Sequence, residues 1–218
     1  ASVFDITDDP VVEWAVPVAL GDNHRGYRVI STTDEYFDRI KFGGNQPLVF
    51  AQGKPFSDLN EIVIGSEVAE ALGYALSTSI FVTHGSQMLG ELHDDFSFKI
   101  TGILAPTGTP MDQVVFVSLE GYELIHLGWQ NGSKTVSLQN LDINAIPKER
   151  LYPKTVTAVY LGLTSKLSLF KFIQAVRDYP EEAISAVIPG VALAELWSMV
   201  GIVDSVFQLL NWLIIGIS

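Results

Sequence analysis

The stretch "FSFKITGILAPTGTPMDQVVFVSLEGYELI", residues 96–125, holds two strand-like runs on either side of a cluster of turn residues. In "FSFKITGIL" the apolar side chains alternate, which predicts a strand with Phe96, Phe98, Ile100 and Ile103 facing inward. The run "QVVFVSL" predicts a second strand. Between them, "APTGTP" has the Pro and Gly content of a turn. The stretch therefore indicates a small β-rich module.

The preceding part of the chain predicts further short elements. "WAVPVAL" and "YRVIST" are typical of strands, joined by a polar turn "GDNHRG" that would contain His24. "TDEYFDRI" predicts a short helix capped by Thr33 or Asp34. "EIVIG" predicts a strand leading directly into the helix "SEVAEALG", with Ser66 as a possible N-cap and Gly73 as its end. "TSIFVTHG" alternates like another strand.

The last third of the chain adds one strand and one longer helix. "TVTAVYLGL" is a strongly apolar strand candidate. "SKLSLFKFIQAVRDYP" predicts an amphipathic helix with Leu167, Phe170, Ile173 and Val176 along its apolar face. Strands and helices are mixed along the whole chain, so the predicted fold class is α+β.

Composition and charge exclude several classes of protein. The 218 residues are 48% apolar and 17% charged, which excludes a disordered chain and suffices for one large domain or two modest ones. The formal net charge of −12, with no cluster of Lys and Arg, excludes nucleic acid as a partner. Because cysteine is absent, the chain has no disulfide framework, no thiolate metal site and no cysteine nucleophile.

The sequence predicts no catalytic residues and no bound cofactor. "GILAPTGTP" differs from a phosphate-binding loop, because five residues separate Gly102 from Gly108, and Thr109 and Pro110 follow where Lys and Ser or Thr are needed. The segment around Ser86, "HGSQMLG", lacks the glycine spacing of a nucleophile elbow. We therefore expect a domain that is not an enzyme.

Histidines and carboxylates are concentrated in the middle of the chain. If "FVTHG" and "HDDFSF" form a hairpin, two imidazoles and a carboxylate could bind zinc. The candidate ligands are His84, His93, Asp94, Asp95 and His126. No HExxH motif is present, so a solvated hairpin tip without metal stays the alternative.

The C-terminal segment is strongly apolar, and its last run, "LLNWLIIGIS", is uncharged. Such a run is either a buried core helix or the start of a membrane helix, which needs about 20 apolar residues to span a bilayer. In the second case Asp204 lies outside the hydrocarbon and the span begins near Phe207 and continues past Ser218. The chain begins without Met or a signal-peptide pattern, so we also expect sequence before Ala1.

The order of these segments resembles the extracytoplasmic domain of MacB/FtsX-type ABC transporter permeases. The blocks that carry the resemblance are "NEIVIGSEVAEALG" and "FKITGILAPTGTPMD", followed by "TVTAVYLGL" and the final "LAELWSMVGIVDSVFQLLNWLIIG". The resemblance covers essentially the whole chain.

This resemblance implies a two-lobed domain between two transmembrane helices, with its two ends close together. Residues 1–47 and 148–200 would form a discontinuous, membrane-proximal α/β lobe, residues 48–147 an inserted β-rich lobe, and residues 201–218 the start of the second transmembrane helix.

The resemblance also implies a role in the bacterial inner membrane, with this domain on the periplasmic or extracellular side. ATP would be hydrolysed by a separate cytoplasmic subunit or domain, and the movement would drive substrate export or mechanical signalling. The implied partners are that ATP-binding subunit, a second permease in a homodimer or pseudo-dimer, and a periplasmic protein. A zinc-handling version of the same domain is the alternative function.

Overall fold

The computed structural model describes residues 6–84, 96–127, 129–130, 133–134, 146, 151–153, 155–194, 196, 207–208, 212 and 215. Its strands are β1 (Val12–His24), β2 (Tyr27–Thr32), β3 (Lys41–Phe42), β4 (Gln46–Pro47), β5 (Phe50–Gly53), β6 (Glu61–Ile64), β7 (Ser79–Ile80), β8 (Thr83–His84), β9 (Phe98–Leu104), β10 (Val114–Ser118), β11 (Trp129–Gln130), β12 (Ser133–Lys134) and β13 (Ala158–Leu163).

The helices include α1 (Glu35–Arg39), α2 (Ser66–Leu72), α3 (Leu119–Leu127) and α4 (Leu169–Arg177). Short 3₁₀ helices cover Pro110–Gln113 and Lys166–Ser168. Residues 189–194 are also helical. The mixture of helices and a large sheet confirms the predicted α+β class.

Nine of the described strands form one mixed sheet in the order β13-β1-β2-β10-β6-β9-β5, with β7 paired to β9 and β8 paired to β1. The pairs β2–β10 and β6–β9 are parallel, whereas β1–β2, β6–β10 and β5–β9 are antiparallel. The two strands of the opening stretch, β9 and β10, lie on either side of β6 in the middle of this sheet.

The central strands are buried on both faces, which explains their nearly continuous apolar sequences. On β6, Ile62 and Ile64 belong to one apolar cluster and Val63 to another. Helices α2 and α3 add Val68, Leu124 and Ile125 to the first cluster, and α1 adds Tyr36 and Phe37 to the second. The four residues predicted to face inward from β9 and its approach are all buried: Phe96, Phe98, Ile100 and Ile103.

Several local predictions are confirmed, and two are wrong in detail. Helix α1 is capped by the Asp34 carboxylate, and α2 ends at Gly73 with a left-handed φ of 66°. However, α2 begins after Gly65, which has no side chain, so Ser66 is not its N-cap. The predicted strand "TSIFVTHG" is split, because β7 pairs with β9 whereas β8 pairs with β1.

The chain divides into two compact units, Trp14–Gly162 and a discontinuous unit of Ala1–Glu13 with Leu163–Ser218. Both terminal segments therefore belong to one unit. Within the larger unit, one sheet contains β1 and β2 as well as β5, β6, β9 and β10. The lobe boundaries implied by the resemblance, at residues 47/48 and 147/148, stay predictions.

Helix α4, in the discontinuous unit, is amphipathic as predicted but buries only part of the predicted apolar face. Phe172 and Val176, one turn apart, are buried, whereas Phe170 is 77% exposed and Leu167, in the preceding 3₁₀ turn, is 89% exposed. Of the predicted series, Val176 is confirmed as buried, whereas Leu167 and Phe170 are exposed, because Leu167 lies outside the α-helix and the buried pair is spaced i, i+4.

Candidate functional site

Buried polar side chains collect where β1 runs into the turn toward β2. Strand β1 continues into the predicted turn "GDNHRG" as far as His24, so Asp22 and His24 lie at buried positions of a strand. Each side chain is only 4% exposed. With Tyr74 and Tyr122 they form what we call the β1 corner. The prediction of His24 as a simple turn residue is therefore wrong.

His24 connects β1 to the segment between α2 and β8 through both of its ring nitrogens. Its Nδ1 lies 2.6 Å from the carbonyl oxygen of Phe81, and its Nε2 lies 3.0 Å from the hydroxyl of Tyr74. Since a carbonyl only accepts, Nδ1 carries the proton, and in the neutral ring Nε2 accepts from the tyrosine. Burial lowers the pKa of His24, so the neutral imidazole is favoured.

Asp22 and Tyr122 bring a carboxylate and a phenol into the same corner. Burial raises the pKa of Tyr122 to about 12, with further contributions from the charges of Asp22 and Glu123. The phenol is therefore a neutral hydroxyl at physiological pH. A Cβ atom on Gly21 would lie 3.1 Å from the Tyr122 hydroxyl, so the phenol closes over the backbone of β1 here.

An open pocket of about 330 Å³ lies beside the β1 corner. It is lined by Leu20, Gly21, Asp22, Asn23, Gly26 and Arg28. These side chains offer a carboxylate, an amide and a guanidinium, but they include no hydroxyl or thiol nucleophile. The pocket lining is thus suited to contacting a polar group, and it lacks the hydroxyl or thiol of a nucleophile–base pair.

The loop "APTGTP" is a turn, as predicted, because it folds around the Asp112 carboxylate. One oxygen accepts from the backbone N–H and hydroxyl of Thr107, at 2.8 Å each, and the other accepts from the N–H of Gly108 at 2.8 Å. These hydrogen bonds lower the pKa of Asp112 against the opposing effect of burial. The backbone amides of Thr107 and Gly108, which a bound phosphate would need, already donate to the Asp112 carboxylate.

The predicted zinc ligands are only partly placed. The backbone of His84 lies in β8, opposite Asp22 of β1, and that of His126 lies in α3. His93, Asp94 and Asp95 lie outside the described residues. Among the described strands, β8 pairs with β1, and the hairpin that would join the neighbourhoods of His84 and His93 stays a prediction.

In the part of the chain that the structure describes, no three His, Cys, Asp or Glu side chains are grouped as metal ligands. Zinc binding stays a prediction. A zinc titration that gives the same affinity for the parent and for a His84→Ala, His93→Ala variant would contradict it.

The predicted membrane segment at residues 201–218 is described at only four positions, all helical. Phe207, Trp212 and Ile215 among them are largely exposed to solvent. Among the helices of the described ranges, none is long and apolar enough to cross a membrane.

Sequence reasoning missed the β1 corner. The register of β1 against β2 shifts between Leu20 and Asn23, and Leu20 itself is exposed. The simple alternation of Val16 and Val18 therefore does not extend to Asp22 and His24, and it could not have located them.

Residues 2–158 match the family model described as the MacB-like periplasmic core domain. The chain belongs to this family. It is therefore an extracytoplasmic domain of a MacB-like ABC transporter permease, as the sequence resemblance implied. In MacB-like permeases this domain is part of a transporter and is not itself an enzyme.

Several solved structures resemble this MacB-like domain at low sequence identity. The extracellular domain of the noncanonical ABC-type transporter YknZ from Gram-positive bacteria has 13% identity and a TM-score of 0.48, with 85% of this chain and 87% of that chain covered. The periplasmic region of MacB from Actinobacillus actinomycetemcomitans has 10% identity and a TM-score of 0.45, with 80% and 70% covered.

A domain of a permease protein from Porphyromonas gingivalis has 13% identity and a TM-score of 0.42, with 79% of this chain and 65% of that chain covered. The comparison with curated proteins found no match.

Proposed function

We propose that this MacB-like domain transmits the energy of ATP hydrolysis, which takes place in a separate cytoplasmic subunit, to the extracytoplasmic side of the bacterial inner membrane. The family match over residues 2–158 carries the proposal. The output is either export of a substrate or a mechanical signal to a periplasmic protein. The permease would act as a homodimer or pseudo-dimer, with one such domain on each half.

The division into two compact units supports a mechanical role. One unit combines both terminal segments and the other contains the large sheet. The sheet unit is buried on both faces through the clusters around Ile62 and Phe116, which favours movement as a rigid body. Compact units within one chain commonly move relative to each other by hinge or shear when a ligand binds elsewhere.

The test is a distance measurement in the complete transporter, reconstituted with its ATP-binding subunit. Cysteine is absent from this domain, so cysteines introduced at Val49 and Val187 would be its only thiols. Both side chains are exposed, and they lie in different units. Spin labels at the two positions are expected to show a distance distribution that shifts between the nucleotide-free and ATP-bound states.

A matched control places both labels in the sheet unit, at Val49 and Lys99, which are both exposed. This distance should stay the same in the two nucleotide states. If the Val49–Val187 distance also stays constant while the transporter hydrolyses ATP, the domain does not move with the ATPase and the coupling proposal is wrong.

A further inference from the structure

Positive charge is concentrated in one segment of this acidic chain. Although the formal net charge is −12, residues 150–177 contain no Asp or Glu, and they form the longest stretch without one. This segment holds five of the 13 Lys and Arg residues: Arg150, Lys154, Lys166, Lys171 and Arg177. An acid-free cationic segment in an otherwise anionic protein indicates an anionic partner for that segment.

The second half of this segment presents apolar side chains and lysines on one surface. Lys166, Leu167, Phe170, Lys171 and Gln174 are all exposed, whereas the opposite side of α4 buries Phe172 and Val176. We call the five exposed residues the α4 surface. Leu167, at 89%, and Phe170, at 77%, are the two most exposed of the large hydrophobic side chains in the described part of the chain.

The lysines of the α4 surface are not balanced by neighbouring carboxylates. Within the described ranges, neither Lys166 nor Lys171 forms an ion pair, whereas Arg177 has Asp178 3.6 Å away. The charge of the two lysines is therefore available to a partner, and their alkyl chains can lie beside the apolar side chains while the ammonium groups reach outward.

We propose that the α4 surface rests on the membrane, with Leu167 and Phe170 at the level of the lipid head groups and Lys166 and Lys171 binding anionic phospholipid. Protruding apolar side chains flanked by lysines suit a fluid lipid interface, whereas a protein partner would need preformed pockets for them. The inference rests on the proposed function, because that function places the domain at the membrane surface.

The place of α4 in the molecule supports lipid as the partner. The helix belongs to the compact unit that contains both terminal segments of the chain. The same unit exposes Phe207, Trp212 and Ile215. Aromatic residues such as Trp are enriched at the interface between lipid and water.

The experiment measures the partition of the 218-residue chain onto vesicles of phosphatidylcholine alone and of phosphatidylcholine with phosphatidylglycerol, by co-flotation at low salt. The parent should partition more strongly onto the anionic vesicles, and added salt should weaken this preference. The double variant Lys166→Gln, Lys171→Gln should lose about 30-fold in partition onto anionic vesicles, at roughly fivefold per lysine. The double variant Leu167→Ser, Phe170→Ser should lose about tenfold or more in partition onto both vesicle types.

Matched controls change the same residue types in the sheet unit. Two double variants replace exposed residues there: Lys41→Gln, Lys54→Gln for the lysine pair and Val49→Ser, Leu76→Ser for the apolar pair. Both should bind to the vesicles like the parent. All variants keep residues 201–218, so binding through that segment cancels in the comparison. Thermal melting of each variant checks that it is folded.

Equal partition of the parent onto neutral and anionic vesicles would overturn the proposal, as would a lysine variant that binds like the parent. Either result would indicate that the α4 surface contacts a protein and not lipid. Neither result bears on coupling to ATP hydrolysis, because the distance between Val49 and Val187 is measured separately in the complete transporter.

Discussion

At the scale of single residues, His24 and Asp112 each hold a loop against the sheet of the larger unit. Both are buried, and each has its hydrogen bonds directed at groups from neighbouring segments. A buried group that loses its partner costs more free energy than the net gain from forming one hydrogen bond. Their contributions to stability are therefore measurable by substitution.

Replacing His24 with Phe is expected to lower the free energy of unfolding by about 1–3 kcal/mol, because the Phe81 carbonyl and the Tyr74 hydroxyl lose their partner. Urea unfolding at pH 7.5 measures the change. Tyr74→Phe, which removes only the hydroxyl at Nε2, is the matched variant and should cost less. A His24→Phe protein as stable as the parent would show that these two contacts contribute no net stability.

The cost of His24→Phe should also depend on pH. The pKa of His24 is lowered in the folded state, so between that value and the ordinary 6.5 the unfolded state binds more protons. The stabilisation by the neutral ring is complete above about 6.5 and declines as the pH falls below it. The stability difference between parent and variant should therefore shrink from pH 7.5 to pH 5, whereas a constant difference would contradict the assignment of a neutral, buried ring.

Asp112→Asn is expected to destabilise the domain by about 2 kcal/mol, because an amide cannot accept from Thr107 and Gly108 with both of its ends. The pKa of Asp112 is lowered in the folded protein, so its stabilisation is complete above the ordinary value of 3.8 and is lost at lower pH. Unfolding curves at pH 7 and pH 3 should show a larger difference between parent and variant at pH 7.

At the scale of elements, the contact between β13 and β1 depends on one glycine. A Cβ atom on Gly162 would overlap the indole ring of Trp14. These two strands are neighbours at one edge of the sheet. The indole of Trp14 lies against the backbone of β13 at Gly162, which leaves room for the ring because glycine has no side chain. The sequence "TVTAVYLGL" predicts the strand but not this requirement.

Gly162→Ala is expected to lower the free energy of unfolding by about 1–3 kcal/mol, because the indole must move to admit the methyl group. Gly43→Ala is the control, since a Cβ atom there meets nothing within 4 Å and its φ is not left-handed. Thermal unfolding of both variants tests this contact. Equal stability of the two would contradict the close packing of Trp14 on β13.

At the scale of the whole molecule, the described apolar side chains of the C-terminal segment are largely exposed. Phe207 is 65% exposed and Trp212 is 73% exposed. Side chains with this exposure contribute little to the core, but they favour association with other apolar surfaces. This pattern favours the membrane interpretation of the segment over a buried core helix.

Removal of residues 205–218 is therefore expected to leave the domain folded, with a melting temperature within about 3 °C of the parent, which corresponds to less than about 1 kcal/mol. Self-association in sedimentation experiments should decrease. Unfolding of the truncated chain would instead show that the segment is part of the core.

The sequence alone determined those features that depend on neighbours along the chain. Strand β2 was predicted to the residue, and β6 and β10 were predicted to within one residue at each end. Helix α1 was predicted with Thr33 or Asp34 as its cap, and Asp34 is the cap. These predictions succeed because alternation and capping act over a few positions. The family was likewise recognisable from the blocks around Ile62 and Gly102.

Only the tertiary structure decided which faces and which distant residues meet. It placed His24 in a strand with partners 50 and 57 residues away, paired β8 with β1, and turned Phe172 rather than Phe170 of α4 inward. No local pattern encodes these choices, since they depend on the burial that competing surfaces achieve once the whole sheet has formed. The sequence limits which residues can be buried, and packing selects among them.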